Sequence, residues 1–189
     1  PLPISDAATI SAPHMHARCL ELLLPQLVRP NARSLDVGSG SGYLTVAFAL
    51  FGGTAYGIEH TQALTDLAKT NVKHLDDDDD LRRDLHLDDD DDSETTKTPR
   101  VHFLKADGWK GLKDAAPFDA IHVGAAARSV PDALVDQLAK GGRLIIPLGE
   151  PNAPQYLVQV DKLQDNSLQV SRLFGVRYVE LVGKDPPSL

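Results

Sequence analysis

The feature that most constrains this chain is a glycine-rich loop set between an apolar strand and an apolar helix. Leu35-Asp36-Val37-Gly38-Ser39-Gly40-Ser41-Gly42 follows a short strand, Ser34–Val37, and opens a helix, Tyr43–Phe51, with a nearly all-apolar face. At such a junction the backbone can approach a bound ligand closely. The junction also begins an alternation. Thr54–Glu59 reads as a strand and Thr61–Lys73 as a helix; Val101–Lys105 and Phe118–Val123 are further strands. Pro131–Leu138 reads as a helix with Pro in its first turn, stopped by Gly141-Gly142, and Arg143–Pro147 is a fifth strand. Tyr156–Val160 and Val170–Val182 are strands joined by the turn-rich Gln164-Asp165-Asn166-Ser167. The order predicts an α/β fold: a doubly wound, mainly parallel seven-stranded sheet, helices on both faces, and an antiparallel C-terminal hairpin. Upstream, Ser11-Ala12-Pro13 precedes an apolar-periodic run through Met15, Cys19, Leu22, Leu23 and Leu27. Ser11 is therefore the expected helix N-cap, with Pro13 in the first turn.

Composition enters where it excludes partners. The 189 residues suit one domain, and no stretch reaches the roughly 20 apolar residues of a membrane span. The net charge of −8 is local. Residues 74–99 hold 12 of the 27 acids, in two Asp pentads and their surroundings, against 3 of the 19 Lys and Arg. They read as a low-complexity, disordered insertion between a helix and a strand. The remaining chain has 15 acids and 16 bases, so it shows neither a basic footprint for nucleic acid nor a polybasic membrane patch. The single cysteine, Cys19, lies at helical spacing among apolar residues and fits a core position in a reducing compartment.

The glycine spacing separates two ligands. A dinucleotide loop needs G-x-G-x-x-G with pyrophosphate on the helix N-terminus. Here the pattern is Asp36-x-Gly-x-Gly-x-Gly, with an acid where a diphosphate would be repelled. S-adenosylmethionine has no phosphate; its sulfonium and α-amino group both suit a nearby carboxylate. Glu59 ends the next strand, where a carboxylate can accept both ribose hydroxyls. Asp107-Gly108 follows the third strand, where a carboxylate can accept from the adenine amino group. Three strand-end acids converging on one crevice make the case that a lone glycine loop does not.

Other segments carry a family resemblance. Ala8-Thr9-Ile10-Ser11-Ala12-Pro13-His14-Met15-His16-Ala17, Leu35–Gly42, Gly57-Ile58-Glu59-His60, Asp107-Gly108, Pro117–Ala126, Gly141–Pro147 and Val176-Arg177-Tyr178-Val179 together closely resemble protein-L-isoaspartate O-methyltransferases. The resemblance spans nearly the whole chain apart from the Asp-rich segment. It implies a Rossmann-like methyltransferase fold and a protein-repair enzyme. The family moves a methyl group from S-adenosyl-L-methionine to the α-carboxylate of L-isoaspartyl residues, leaving S-adenosyl-L-homocysteine; the ester closes to a succinimide that hydrolyses partly to aspartate. It further implies Ser11 as the active-site residue, with Ala8, Thr9, Ile10 and Ser11 on the substrate. His16, Asp36, Gly38, Ser39, Gly40, Gly42, Glu59, His60, Asp107 and Gly108 are implied on the cofactor. The expected protein is a cytoplasmic monomer acting on isoaspartyl peptides and proteins, with no nucleic-acid, membrane or metal partner. Two departures stand out. Family members have a helical segment ahead of the matching region, and this chain starts after it. Val182 stands where the family usually has Thr.

The acceptor explains why no acid–base pair stands out. A carboxylate with a pKa near 4 is already an ionised nucleophile at neutral pH, so alignment is what the protein must supply. Ser11 is read as orienting that carboxylate, a role that a helix cap could share. His14 is expected to pack structurally, His16 to face the cofactor, and His122 to be a satisfied buried residue. Trp109 could stack on adenine or cover the sheet. Three alternatives remain: a methyltransferase for another substrate, a non-catalytic module working through the acidic segment, and a nicotinamide oxidoreductase.

Overall fold

The computed structural model describes residues 2–5, 8–77, 85, 100–150 and 153–183. In chain order, β1 (Leu2–Ser5) and β2 (Ala8–Ile10) precede α1 (Pro13–Leu27). Then come β3 (Arg33–Val37), α2 (Tyr43–Ala49), β4 (Thr54–Glu59), α3 (Gln62–Lys73), β5 (Val101–Lys105) and β6 (Phe118–Val123). They are followed by α4 (Asp132–Gln137), β7 (Leu138–Leu148), β8 (Gln155–Lys162) and β9 (Leu168–Val176).

One seven-stranded sheet runs β5-β4-β3-β6-β7-β8-β9. The pairs from β5 to β7 are parallel, and β7-β8 and β8-β9 are antiparallel. The expected architecture is present. Strand order reverses between β3 and β6, and open α/β sheets bind ligands at the carboxyl ends of the strands flanking such a switch.

The central strands are apolar on both faces because helices cover both. On β3, Leu35 and Val37 enter one core cluster with Ile121, Val123 and Leu144. Ser34 and Asp36 are buried on the other face, where α1 and α2 pack. The second cluster joins Cys19, Leu23 and Leu27, an i, i+4, i+8 stripe of α1, to Leu44 and Phe48 of α2. Each such large side chain, fully buried, contributes roughly 1.5–3 kcal/mol. Cys19 is core, as expected, at 1% exposed. Leu85, from the connection between α3 and β5, is also fully buried, and its carbonyl accepts the Arg100 N–H at 3.1 Å. The rest of the acidic tract, residues 78–84 and 86–99, lies outside the described residues.

Several boundaries correct the sequence expectation. Residues 2–10 form an antiparallel hairpin that was not anticipated. The N-cap of α1 is Ala12 rather than Ser11, and no side chain caps the helix. Pro13 takes the first helical position, where it lacks an N–H, so the cap falls one residue later than expected. Gly141-Gly142 does not end an element. Its residues lie within β7, where the register against β6 slips between Phe118 and Ala120 and Gly141 takes φ 74°. β9 ends at Val176, not Val182, because the following residues leave the sheet for other partners. Among the described residues no helix is long and apolar enough to cross a membrane.

Candidate active site

The glycine loop lies over the switch point. Gly38, Gly40 and Gly42 take φ of 78°, 53° and 87°, the left-handed region that favours glycine. The loop turns back onto β4: the Gly38 and Ser39 N–H groups donate to the Ile58 carbonyl at 2.9 and 3.1 Å. At the end of β4, Glu59 accepts the Gly40 N–H at 3.2 Å with one oxygen. Its other oxygen meets the His60 N–H at 2.8 Å and the His60 ring at 2.9 Å. Glu59 is 7% exposed, so this carboxylate is built into the crevice wall. One strand further out, Asp107 accepts the Trp109 N–H at 3.1 Å. The strand-end acids Glu59 and Asp107 therefore sit on the same carboxyl edge as the loop, on adjacent parallel strands.

Asp36 is placed differently from expectation. It is 2% exposed and faces inward, not into the crevice. Its two oxygens are taken by Thr45 Oγ1 at 2.7 Å and His122 Nδ1 at 2.8 Å. Gly57 makes room for this arrangement, since a Cβ there would lie 2.8 Å from Thr45 Oγ1 and 2.7 Å from Phe103. Burial works to lower the His122 pKa. The Cys19 sulfur and the Asp36 carboxylate more than offset that, and the imidazole is pushed up to about 10. A cation and a carboxylate thus lock β3, β6 and α2 beneath the loop. His122 is the satisfied buried residue that the sequence suggested.

His16 lies beside the loop, its ring 5.0 Å from that of Tyr43, the first residue of α2. Burial lowers its pKa, the His122 charge adds to this, and Asp36 opposes. Trp109 takes the packing alternative: it joins the core, and its Nε1–H donates to the Leu181 carbonyl at 3.2 Å. Leu181 and Val37 pack so closely on Gly108 that a Cβ there would lie 2.8 Å from Val37 and 3.0 Å from Leu181.

A cleft of about 1210 Å³ opens beside the loop. Thr9, Ser11 and His14 line it from the N-terminal side, and Gln155, Tyr178 and Glu180 from the C-terminal side. His14 is exposed on its wall, a correction to the expectation that it packs structurally. Ala8 and Ile10 are half-buried in β2 and do not line it. Gly124 links this cleft to the glycine loop. It lines the cleft, its N–H donates to the Val37 carbonyl at 2.8 Å, and a Cβ on it would lie 3.2 Å from the Gly38 carbonyl oxygen. Tyr178, Gln155, Gly124 and Thr45 were not picked out as site residues from the sequence. Only Thr45 left a local signal there, as a hydroxyl on an otherwise apolar helix.

A glycine loop at the switch point, with carboxylates at successive strand ends, defines a Rossmann-like methyltransferase fold. Comparison with known proteins narrows the class. The family model of protein-L-isoaspartate(D-aspartate) O-methyltransferase matches residues 1–186. Protein-L-isoaspartate O-methyltransferase 1 of Arabidopsis thaliana is 43% identical over 188 residues, covering 98% of this chain and 74% of its relative. The Caenorhabditis elegans protein-L-isoaspartate O-methyltransferase is 40% identical over 189 residues, covering 98% and 76%. A Plasmodium falciparum chain described as a protein-L-isoaspartate O-methyltransferase, solved in complex with S-adenosyl-L-homocysteine, superposes with a TM-score of 0.77 at 33% identity, covering 96% of this chain and 79% of that one. The chain belongs to the protein-L-isoaspartate(D-aspartate) O-methyltransferase family. It is a protein-repair methyltransferase that uses S-adenosylmethionine.

Proposed function

We propose that Ser11 orients the α-carboxylate of an L-isoaspartyl residue in the cleft, facing a methyl donor held on the glycine loop. The observation that carries this is the closeness of the loop to the Ser11 cleft: a single glycine, Gly124, packs on the loop at Gly38 and lines the cleft.

The crevice fits S-adenosylmethionine. Gly38, at positive φ, has no atom nearer than 4.0 Å to where a Cβ would stand, and Ser39 Oγ is buried without a hydrogen-bond partner. Glu59 would hold the ribose hydroxyls and Asp107 the adenine amino group, with His16, His60 and Gly108 lining the site. Asp36 supports the loop from behind through Thr45 and His122. When bound, the cofactor supplies an electrophilic methyl group on a sulfonium.

The protein's own part is alignment and desolvation. Ser11 is free of a capping bond, so its hydroxyl is available to the acceptor. The acceptor arrives ionised, and the positive end of α1, a 15-residue helix, favours an anion there. Charge is lost along the reaction path, so a cleft that sheds water favours the transition state. The methyl ester then leaves and closes to a succinimide, which hydrolyses partly to aspartate.

The test is methyl transfer from S-adenosylmethionine to a synthetic L-isoaspartyl peptide beside its ordinary aspartyl isomer. Transfer to the first alone is expected; transfer to neither, or equally to both, overturns the assignment. The same reading makes the chain one methyltransferase domain that works as a cytoplasmic monomer on damaged proteins. The buried Cys19 thiol and the near balance of 15 acids and 16 bases outside residues 74–99 support a reducing compartment without nucleic-acid or membrane partners.

A further inference from the structure

We propose that Gly183 is a positioning residue for the adenine end of the cofactor. By carrying no side chain, it lets the Asp107 carboxylate stand with one oxygen locked and the other offered to the ring's amino group. This rests on the role given to Asp107 above and deepens it.

The residues after β9 return across the carboxyl ends of the parallel strands. The Leu181 N–H donates to the Ala126 carbonyl at 2.8 Å, and the Leu181 carbonyl accepts the Trp109 Nε1–H at 3.2 Å. The Leu181 side chain joins the core cluster that holds Val37 and Trp109. Both backbone groups and the side chain of one residue are thus held, and two residues later the chain lies on Asp107. A Cβ at Gly183 would stand 2.6 Å from Asp107 Oδ1 and 2.6 Å from Trp109 Cδ1. Carbon atoms pack at about 3.5–4.0 Å, so a side chain there forces a neighbour to move.

The neighbour free to move is the carboxylate. Trp109 is 7% exposed and tied to Leu181 through its indole. Asp107 opens a turn: its carbonyl accepts the Lys110 N–H at 3.0 Å, and its Oδ1 accepts the Trp109 N–H at 3.1 Å. Among the described residues, its Oδ2 has only the Lys110 ammonium, 3.9 Å away on a side chain 76% exposed. The two oxygens are therefore unequal. Oδ1 is spent on the backbone, and Oδ2 is left for a donor. Pressure on Oδ1 breaks the Trp109 bond and carries Oδ2 out of place. The lock also fixes what an amide would do at this position. Its oxygen would take the Oδ1 place, which receives an N–H, and its NH2 would stand where Oδ2 was.

Calorimetric affinities for S-adenosylhomocysteine and S-inosylhomocysteine test this, since the second ring carries a carbonyl in place of the amino group. The proteins are the wild type, Gly183→Ala, Asp107→Ala, Asp107→Asn, and Gly183→Ala with Asp107→Ala. The wild type should prefer the adenosyl ligand roughly 10–100-fold, the worth of a hydrogen bond to a charged acceptor. Gly183→Ala should cut that preference at least about 5-fold and weaken adenosyl binding to match, with kcat at saturating cofactor within about 2-fold. In the Asp107→Ala background it should weaken binding less than about 2-fold, because the methyl takes the vacated space. Asp107→Asn should reverse the preference, offering a donor to the inosyl carbonyl. Full preference in Gly183→Ala, or equal weakening in both backgrounds, overturns the inference. If Gly183→Ala fails to fold, Asp107→Asn decides: a preference that vanishes without reversing shows that Oδ1 is not locked. A wild type without preference, or Asp107→Ala that keeps it, sinks the role of Asp107 itself, so the two failures are told apart.

Discussion

The two regions on either side of Gly124, the glycine loop and the Ser11 cleft, are built by opposite means. The loop rests on buried charge. Asp36 and Glu59 are 2% and 7% exposed, every carboxylate oxygen of the two has a partner, and a buried imidazolium underlies the loop. The cleft has its charged groups, Arg177 and Glu180, exposed, while its buried and half-buried polar groups are neutral, the Ser11 and Tyr178 hydroxyls and the Gln155 amide, on segments that lie outside the regular parallel sheet. The difference matches what each must hold. Under the proposed assignment a cationic cofactor would meet Glu59, itself fixed in place, while an anionic acceptor needs aim rather than a base. Buried charge lies on the loop side of Gly124 and buried neutral hydrogen-bonding groups on the cleft side.

The largest expected effect attacks the charged side. Asp36→Ala strips the buried His122 cation of its partner, and breaking a buried pair in this way costs about 3–5 kcal/mol. Urea denaturation should show a loss of that size; a loss under about 1 kcal/mol would mean that the pair adds little. On the neutral side, Ser11→Ala removes a hydrogen bond to an ionised acceptor. Such bonds contribute about 1.5–3 kcal/mol, so kcat should fall roughly 10–100-fold while S-adenosylhomocysteine affinity holds. Unchanged turnover would leave Ser11 with no role in alignment. Gly40→Ala, at φ 53° and with a Cβ 3.1 Å from Ile4, should destabilise by about 1–2 kcal/mol without touching the cleft.

The smallest effect is the pH profile of stability. The folded pKa of His122, about 10, lies above the ordinary 6.5. Its contribution is therefore complete below about pH 6.5 and is lost as pH rises through about 10. His16 is shifted the other way: its contribution is present above about pH 6.5 and is lost as pH falls through its lowered folded value. Denaturation midpoints against pH should fall off on both sides, with His122→Asn flattening the alkaline limb and His16→Asn the acid one. Unaltered limbs in both variants would remove these histidines from the account.

The same partition divides what the sequence made legible. Strands β4, β5 and β6 match their expected spans to the residue; in β4 and β6, interior parallel strands, burial on both faces writes a short apolar run. Glu59 and Asp107 follow from those ends. The fate of Asp36 was hidden, because its partner His122 lies 86 residues away and no local pattern links them. Gln155 and Tyr178, 23 residues apart, meet only because β9 stops early. Ser11 was misread as a cap because Ser-Ala-Pro satisfies the local rule at either of two registers, and the proline ring at Pro13 selects the later one.

The long acidic connection joins α3 to the amino end of β5, the outermost strand, whereas the chemistry sits at the carboxyl ends of the strands. Its point of attachment to β5 is thus at the opposite edge of the sheet from the reacting groups, and doubling the length of a connecting loop adds only about 0.6 kcal/mol of closure entropy. Evolution can therefore lengthen or recompose that stretch at little thermodynamic cost. An engineer seeking a place for an epitope or a fluorophore would choose the same spot, keeping the lone leucine at 85 that is tucked under the helix layer.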